Sequence, residues 1–246
     1  MTLFISSNYL ISMKYLPIFL SLLCLLQVAP IKVFLVGGGA NENSTMIFER
    51  LANIVAGRPP QPKRCNQDWQ TTSCPRIAVV TSAAENEAAG NDAYSNDSDS
   101  MSYQTMFRNY GMAPKHVSVH IDNYLKDADL STLKGKANLE IISSADVIYF
   151  NGGDQARHVR TWLKDNGTPN ILLSTLKGRA INNEVILVGT SAGSMVWTNQ
   201  TFGSGSSFGT LYFKNSVGLA PKRIVDGGVG GSGLADDRNG TRSLQY

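Results

Sequence analysis

The chain is poor in the side chains that most chemistry depends on. It holds three histidines, His116, His120 and His158, and three cysteines, Cys24, Cys65 and Cys74. Two thiols without nearby histidines do not make a zinc site, so the composition argues against a metal centre. Charged residues make up 17% and the net charge is +3, with Lys and Arg scattered. No basic stripe of the kind that tracks nucleic acid is present. No apolar run reaches the ~20 residues of a membrane span. There is no internal repeat. Most consequentially, no histidine follows Ser191.

An apolar stretch opens at Met13-Lys14-Tyr15-Leu16 and runs to Val28, with one charge in front and Ala29-Pro30 behind. It reads as a secretory signal peptide over residues 1–29, leaving residues 30–246 as one domain. A secreted, extracellular or lumenal protein without stable membrane association after signal removal is the expectation. Cys65 and Cys74 remain in a polar insertion, and such a pair is most simply a disulfide closing a surface loop. Asn-x-Ser/Thr acceptor triplets at Asn43, Asn96, Asn166, Asn199 and Asn239 fit a secreted glycoprotein, although such triplets also arise by chance.

With 42% hydrophobic residues and 23 glycines, the remainder suits a packed α/β core with many tight turns. Five apolar runs read as buried parallel strands: Ile31–Val36, Ile77–Thr81, Val117–Ile121, Val147–Phe150 and Val185–Val188. Helical spacing appears over Thr45–Ala56, Tyr103–Tyr110, Leu133–Ser144 and Ala156–Lys164. The alternation predicts an open, mostly parallel sheet in a three-layer α/β/α sandwich. Arg58–Pro75 and Asn86–Asp99 read as insertions, the second as a mobile flap. Beyond Gly203 the pattern weakens: a loop over Gly203–Ser207, a short strand at Leu211–Phe213 and a flexible stretch at Gly227–Gly233 are expected.

In open α/β sheets ligands bind outside the carboxyl ends of the strands. Four segments should gather there: Gly37-Gly38-Gly39, Ser82–Glu85, Asn151-Gly152-Gly153-Asp154-Gln155, and Gly189-Thr190-Ser191-Ala192-Gly193. The last is a G-x-S-x-G between an apolar run and a helix-compatible run, the context of a nucleophile elbow. Its backbone turn would expose the Ser191 hydroxyl and aim the Ala192 N–H at an oxyanion. The paired glycines 152 and 153 suit a second oxyanion donor, while Asp154 or Gln155 suits a polar substrate. Asp154 equally suits the N-cap of the following helix. The triple glycine alone reads more simply as a tight turn than as a phosphate cradle.

Together, Val33–Gly39, Phe150–Gln155 and Gly189–Ser194 resemble the cyanophycinase and dipeptidase E family of serine peptidases, over about Ile31 to Val225. The resemblance implies a flavodoxin-like sandwich related to class I glutamine amidotransferases. It implies a nucleophile at Ser191, oxyanion donors at the Gly153 and Ala192 N–H groups, and substrate contact at Gln155. Substrates would be peptides or isopeptides with aspartyl groups, such as β-Asp-Arg polymer or Asp-X dipeptides, with no metal or organic cofactor. A homodimer is compatible with this reading.

The departure lies after Asp226. There the family carries a histidine block and an Arg-Gly-Arg cluster; here Asp226-Gly227-Gly228 leads into a glycine-rich stretch. Asp226 is the catalytic acid by position only. The three histidines read as surface or structural residues. Two expectations follow: a serine peptidase whose histidine block lies beyond Tyr246, making this chain incomplete, or a silent relative that binds acidic peptides. An α/β-hydrolase with the same elbow ranks last, because it too needs a histidine after the serine.

Overall fold

The computed structural model describes residues 31–40, 44–56, 64–98, 101–164, 166–197, 200–202 and 219–221. The expected loop at 203–207, strand at 211–213 and stretch at 227–233 lie outside them, as do residues 1–29, Asp226, Asn43, Asn199 and Asn239.

Strand β1 (Val33–Val36) is followed by helix α1 (Thr45–Ala56), then β2 (Arg76–Val80), α2 (Glu87–Ser95), α3 (Tyr103–Asn109) and β3 (Ala113–Val117). The chain continues through α4 (Tyr124–Asp127), α5 (Leu133–Ser144), β4 (Val147–Phe150) and α6 (Gln155–Trp162). Next come α7 (Ile171–Ile181), β5 (Ile186–Thr190) and α8 (Ala192–Met195), and β6 (Gln200–Phe202) pairs antiparallel with β7 (Leu219–Pro221). The five principal strands pair in parallel in the order β1-β5-β4-β2-β3.

Strand pleating sorts the core into two layers, because successive side chains point to opposite faces. Ile77, Val79, Val147, Tyr149 and Val188 meet Phe48 and Leu51 of α1, Tyr94 of α2 and Phe107 of α3. Ala78, Val80, Ile148, Phe150 and Leu187 meet Ile142 of α5, Trp162 of α6 and Leu173 and Leu176 of α7. Helices thus cover both faces, as the alternation predicts for a three-layer α/β/α sandwich. Chain direction reverses between β2 and β4: β2 leads outward to β3, while β4 leads the other way to β5. A crevice opens at such a reversal, and the loops after β2 and β4 line it.

Three details differ from expectation. The third strand occupies Ala113–Val117, not Val117–Ile121. It is an edge strand, where Pro114 is tolerated, and its register ends at Val80↔Val117, where β2 ends too. The expected flap contains a helix, α2, capped by the Asn86 side chain on the Ala89 N–H and packed through Gly90 and Tyr94. Helix α7 was not expected. Its signals were the Asn170 side chain, which caps the Leu173 N–H, and Leu172, Leu173, Leu176 and Ala180 buried on one face.

Cys65 and Cys74 form a disulfide. Among the described residues no helix is long and apolar enough to cross a membrane. Asn96 and Asn166 are exposed.

Candidate active site

The site is built from backbone before any side chain contributes. Strand β5 ends at Thr190 and α8 begins at Ala192, so Ser191 carries the whole reversal. Its φ of 50° and ψ of −119° lie where a non-glycine residue is strained. Four bonds hold it there. Ser191 N–H donates to the Val36 carbonyl at 3.1 Å, and its carbonyl accepts from Ser194 N–H at 3.0 Å, Met195 N–H at 3.1 Å and Ser194 Oγ at 2.7 Å. The turn is possible only because its flanks are glycine. A methyl at Gly189 would strike the Gly193 carbonyl, and one at Gly193 would strike the Phe150 carbonyl.

Two loops close around the hydroxyl. A Cβ at Gly38 would stand 3.5 Å from Ser191 Oγ, and one at Gly152 would stand 3.2 Å from Ser191 Cβ. The triple glycine forms a turn with Gly39 at φ 79°, and Thr190 Oγ1 ties it down by donating to the Gly37 carbonyl at 3.0 Å. Gly153 follows with φ of 140°, its Cα facing the Ala83 carbonyl, which a Cβ would meet at 2.8 Å. All four sequence segments meet here.

Ala192 directly follows the serine, and Gly153 directly follows Gly152, the glycine that faces it. Among the described residues no backbone hydrogen bond engages either N–H. Asp154 caps α6, accepting from the Ala156 N–H at 2.8 Å. Its other oxygen lies 3.8 Å from Arg157 Nε, and Arg157 Nη1 donates to the Ala83 carbonyl at 3.3 Å. Gln155 is the first residue of α6 and half-buried.

None of the three histidines bonds to Ser191. His158 is fully buried between Ser82 Oγ, 2.6 Å from Nδ1, and the Asn151 carbonyl, 3.0 Å from Nε2. Burial lowers its pKa to about 4. His116 and His120 share one partner, with both Nε2 atoms on Thr81 Oγ1 at 2.8 and 2.9 Å. Desolvation lowers them to about 3 and about 4. One hydroxyl supplies a single proton, so it donates to one ring and accepts from the other, and both rings are neutral. Sequence reasoning missed this pair, because His116, His120 and Thr81 become neighbours only through β2–β3 pairing.

No group of three metal-ligating side chains occurs among the described residues. A cleft of about 510 Å3 lined by Lys32, Arg76, Asp146 and Glu184 lies at the opposite, amino-terminal edge of the sheet.

Peptidase family S51 matches residues 88–226, more than half of the 246. The chain belongs to this family, the one its glycine and serine blocks resemble. The match spans Gly152–Gln155 and Ser191, while the triple glycine lies before it. A solved structure, a peptidase from an acI-B1 Actinobacterium, is similar at 19% identity and a TM-score of 0.47, over 72% of this chain. The chain covers 61% of that protein's length.

Proposed function

We propose that the chain is a serine-type peptidase that cleaves peptide or isopeptide bonds after aspartyl groups through an acyl-enzyme on Ser191. The observation that carries this is the strained Ser191 turn, faced by Gly38 and Gly152. The Ser191 oxygen adds to the carbonyl carbon and gives up its proton, while the Gly153 and Ala192 N–H groups receive the charge on the carbonyl oxygen. The C–N bond then breaks, the amine leaves with that proton, and water hydrolyses the ester to release the aspartyl acid. Asp154 and Gln155 face the acyl side of the substrate. Membership of the family supports the aspartyl preference. The disulfide is compatible with secretion, and with it an N-terminal signal and glycosylation at exposed sites. No metal or organic cofactor enters the chemistry.

A binding-only role has one specific observation in its favour: no histidine bonds to Ser191 among the described residues. The two readings separate on one experiment. The full chain is incubated with β-aspartyl-arginine polymer, and released dipeptide is measured beside binding. A peptidase releases dipeptide, and Ser191→Ala lowers the rate by about 10³-fold or more. Unchanged affinity with no release in either protein overturns the peptidase reading and leaves binding.

A further inference from the structure

Two of the loops beside Ser191 meet on one carbonyl. Ala83 C=O, in the loop after β2, accepts from the Asp154 N–H at 3.2 Å and from Arg157 Nη1 at 3.3 Å. Gly153 packs against the same oxygen, which a Cβ there would meet at 2.8 Å. Ala83 is buried while Gly153 is exposed, so the guanidinium that reaches this oxygen lies beside open backbone of the β4 loop. One residue earlier in that loop, Gly152 faces Ser191, which is itself half-buried.

Arg157 spends little of its bonding capacity on the fold. A guanidinium carries N–H groups on every nitrogen and accepts nothing. Among the described residues, the one hydrogen bond from the Arg157 side chain is that to Ala83. Its ion pair with Asp154 is loose: Nε stands 3.8 Å from Oδ2, beyond hydrogen-bond reach, while Oδ1 caps α6. The Arg157 side chain is 33% exposed, so it is held in place and still open to a ligand. A carboxylate takes two N–H groups of one guanidinium side by side, a fit that an ammonium lacks.

Charge points the same way. Asp154, half-buried, puts a negative group on the loop beside Ser191, and an aspartyl substrate brings a second. Like charges in one cleft repel, and a cation between them reverses the sign. We propose that Arg157 is the specificity residue of this site: its guanidinium binds the free carboxylate of the aspartyl group whose carbonyl Ser191 attacks, and so selects aspartyl over uncharged acyl groups. This rests on the reading of the cleft as an aspartyl site. The bond to Ala83 fixes one side of the guanidinium, and Nη2 is left for the carboxylate.

The test uses the full chain and two pairs of anilides. Each pair is aspartate with p-nitroaniline on its α- or its β-carboxyl, beside the analogue whose remaining carboxylate is an amide. Binding is measured by calorimetry on Ser191→Ala, so that it does not depend on turnover, and kcat/KM is measured on the wild type. One charge separates the members of a pair, so the ratio of carboxylate to amide is the readout. A charge-assisted bond predicts a ratio of about 10–100 for at least one linkage. Arg157→Gln keeps an N–H for the Ala83 carbonyl and removes the charge. It is expected to bring the ratio to about 1, with the amide bound within about threefold of before. Arg157→Lys, charged but without the fork, falls between. A residue that merely ties the loops would weaken both members of a pair alike. An unchanged ratio in Arg157→Gln, or an equal loss on carboxylate and amide, overturns the role of Arg157 and leaves the aspartyl site standing. A wild-type ratio of about 1, or no binding of any anilide, overturns both. Hydrolysis by the wild type no faster than by Ser191→Ala overturns the nucleophile, and the binding ratio on Ser191→Ala still decides Arg157.

Discussion

Ser191 and the histidine pair of the β3 edge sit on the same carboxyl edge of one sheet, and they are built in opposite ways. Around Ser191 the neighbours are backbone atoms and glycines, its N–H donating to a β1 carbonyl and its own carbonyl accepting from α8. Around His116 and His120 the neighbours are side chains. Thr81 bridges the rings, Tyr94 stacks on His116 at 4.6 Å, and His120 N–H donates to Asp127 Oδ2 at 3.1 Å. Lys134 then joins Asp127 to Glu87 of α2, at 2.8 and 2.5 Å. The first region is a rigid turn that positions one hydroxyl. The second is a polar cluster that anchors a helix and holds two of the three histidines whose pKa values burial lowers.

Acid is the strongest way to set the two apart. All three histidines have folded pKa values lowered by burial, to about 3 for His116 and about 4 for His120 and His158. The unfolded chain takes up protons near the ordinary value of about 6.5 that the folded chain refuses. Their contribution is therefore complete above about pH 6.5 and is lost as the pH falls toward 4 and 3. Asp127, raised by burial, works in the opposite sense, and Glu87, lowered by its bond to Lys134, adds to the loss. Denaturant midpoints should drop steeply between pH 6 and 4, and a His116→Phe, His120→Phe double variant that still folds should drop less. A flat profile down to pH 4 would break the account of that edge.

Glycine substitutions compare the rigidity of the two regions. Gly193→Ala puts a methyl against the Phe150 carbonyl, and backbone of a central strand cannot yield. A loss of about 3 kcal/mol or more is expected in denaturant titration. Gly90→Ala puts its methyl against His120 Nε2 and Thr81 Oγ1, which are side chains able to shift. It should cost less, about 1–3 kcal/mol. A reversed order would show that the histidine cluster is the stiffer region.

Lys134→Met gives the smallest effect. It leaves Oδ1 of the buried Asp127 without its cation and Glu87 Oε1 with only the Ser118 hydroxyl. Outright loss of a buried partner costs about 3–5 kcal/mol, but Lys134 keeps 32% of its side-chain exposure, so about 1–2 kcal/mol is expected. Hydrogen exchange should report the loss first in α2. Stability equal to wild type would mean that the ion pairs do not anchor that helix.

What could be read from the sequence follows the same division. The glycines at 153, 189 and 193 were legible because close backbone approach leaves no room for a side chain, so composition and geometry coincide. The core strands β2, β4 and β5 were legible from uninterrupted apolar runs. Strand β3 was misplaced because an edge strand needs few apolar residues, and its limits follow its partner β2 rather than its own pattern. Helix α2 was hidden by Asn, Asp and Ser, and besides its Asn86 cap it is tied down by Glu87 reaching Lys134, 47 residues away. The same holds for His158. Nothing local marks its bond to Ser82, 76 residues away, yet that contact holds the loop beside Ser191.

The central claim is that Ser191 is a nucleophile presented by its turn. Covalent capture tests it most directly: the full chain is treated with a fluorophosphonate at neutral pH, and the adduct is located by peptide mass mapping. The account predicts one adduct, on Ser191, absent from Ser191→Ala and lost on unfolding at low pH. An adduct on another residue, or none while hydrolysis persists, would contradict it.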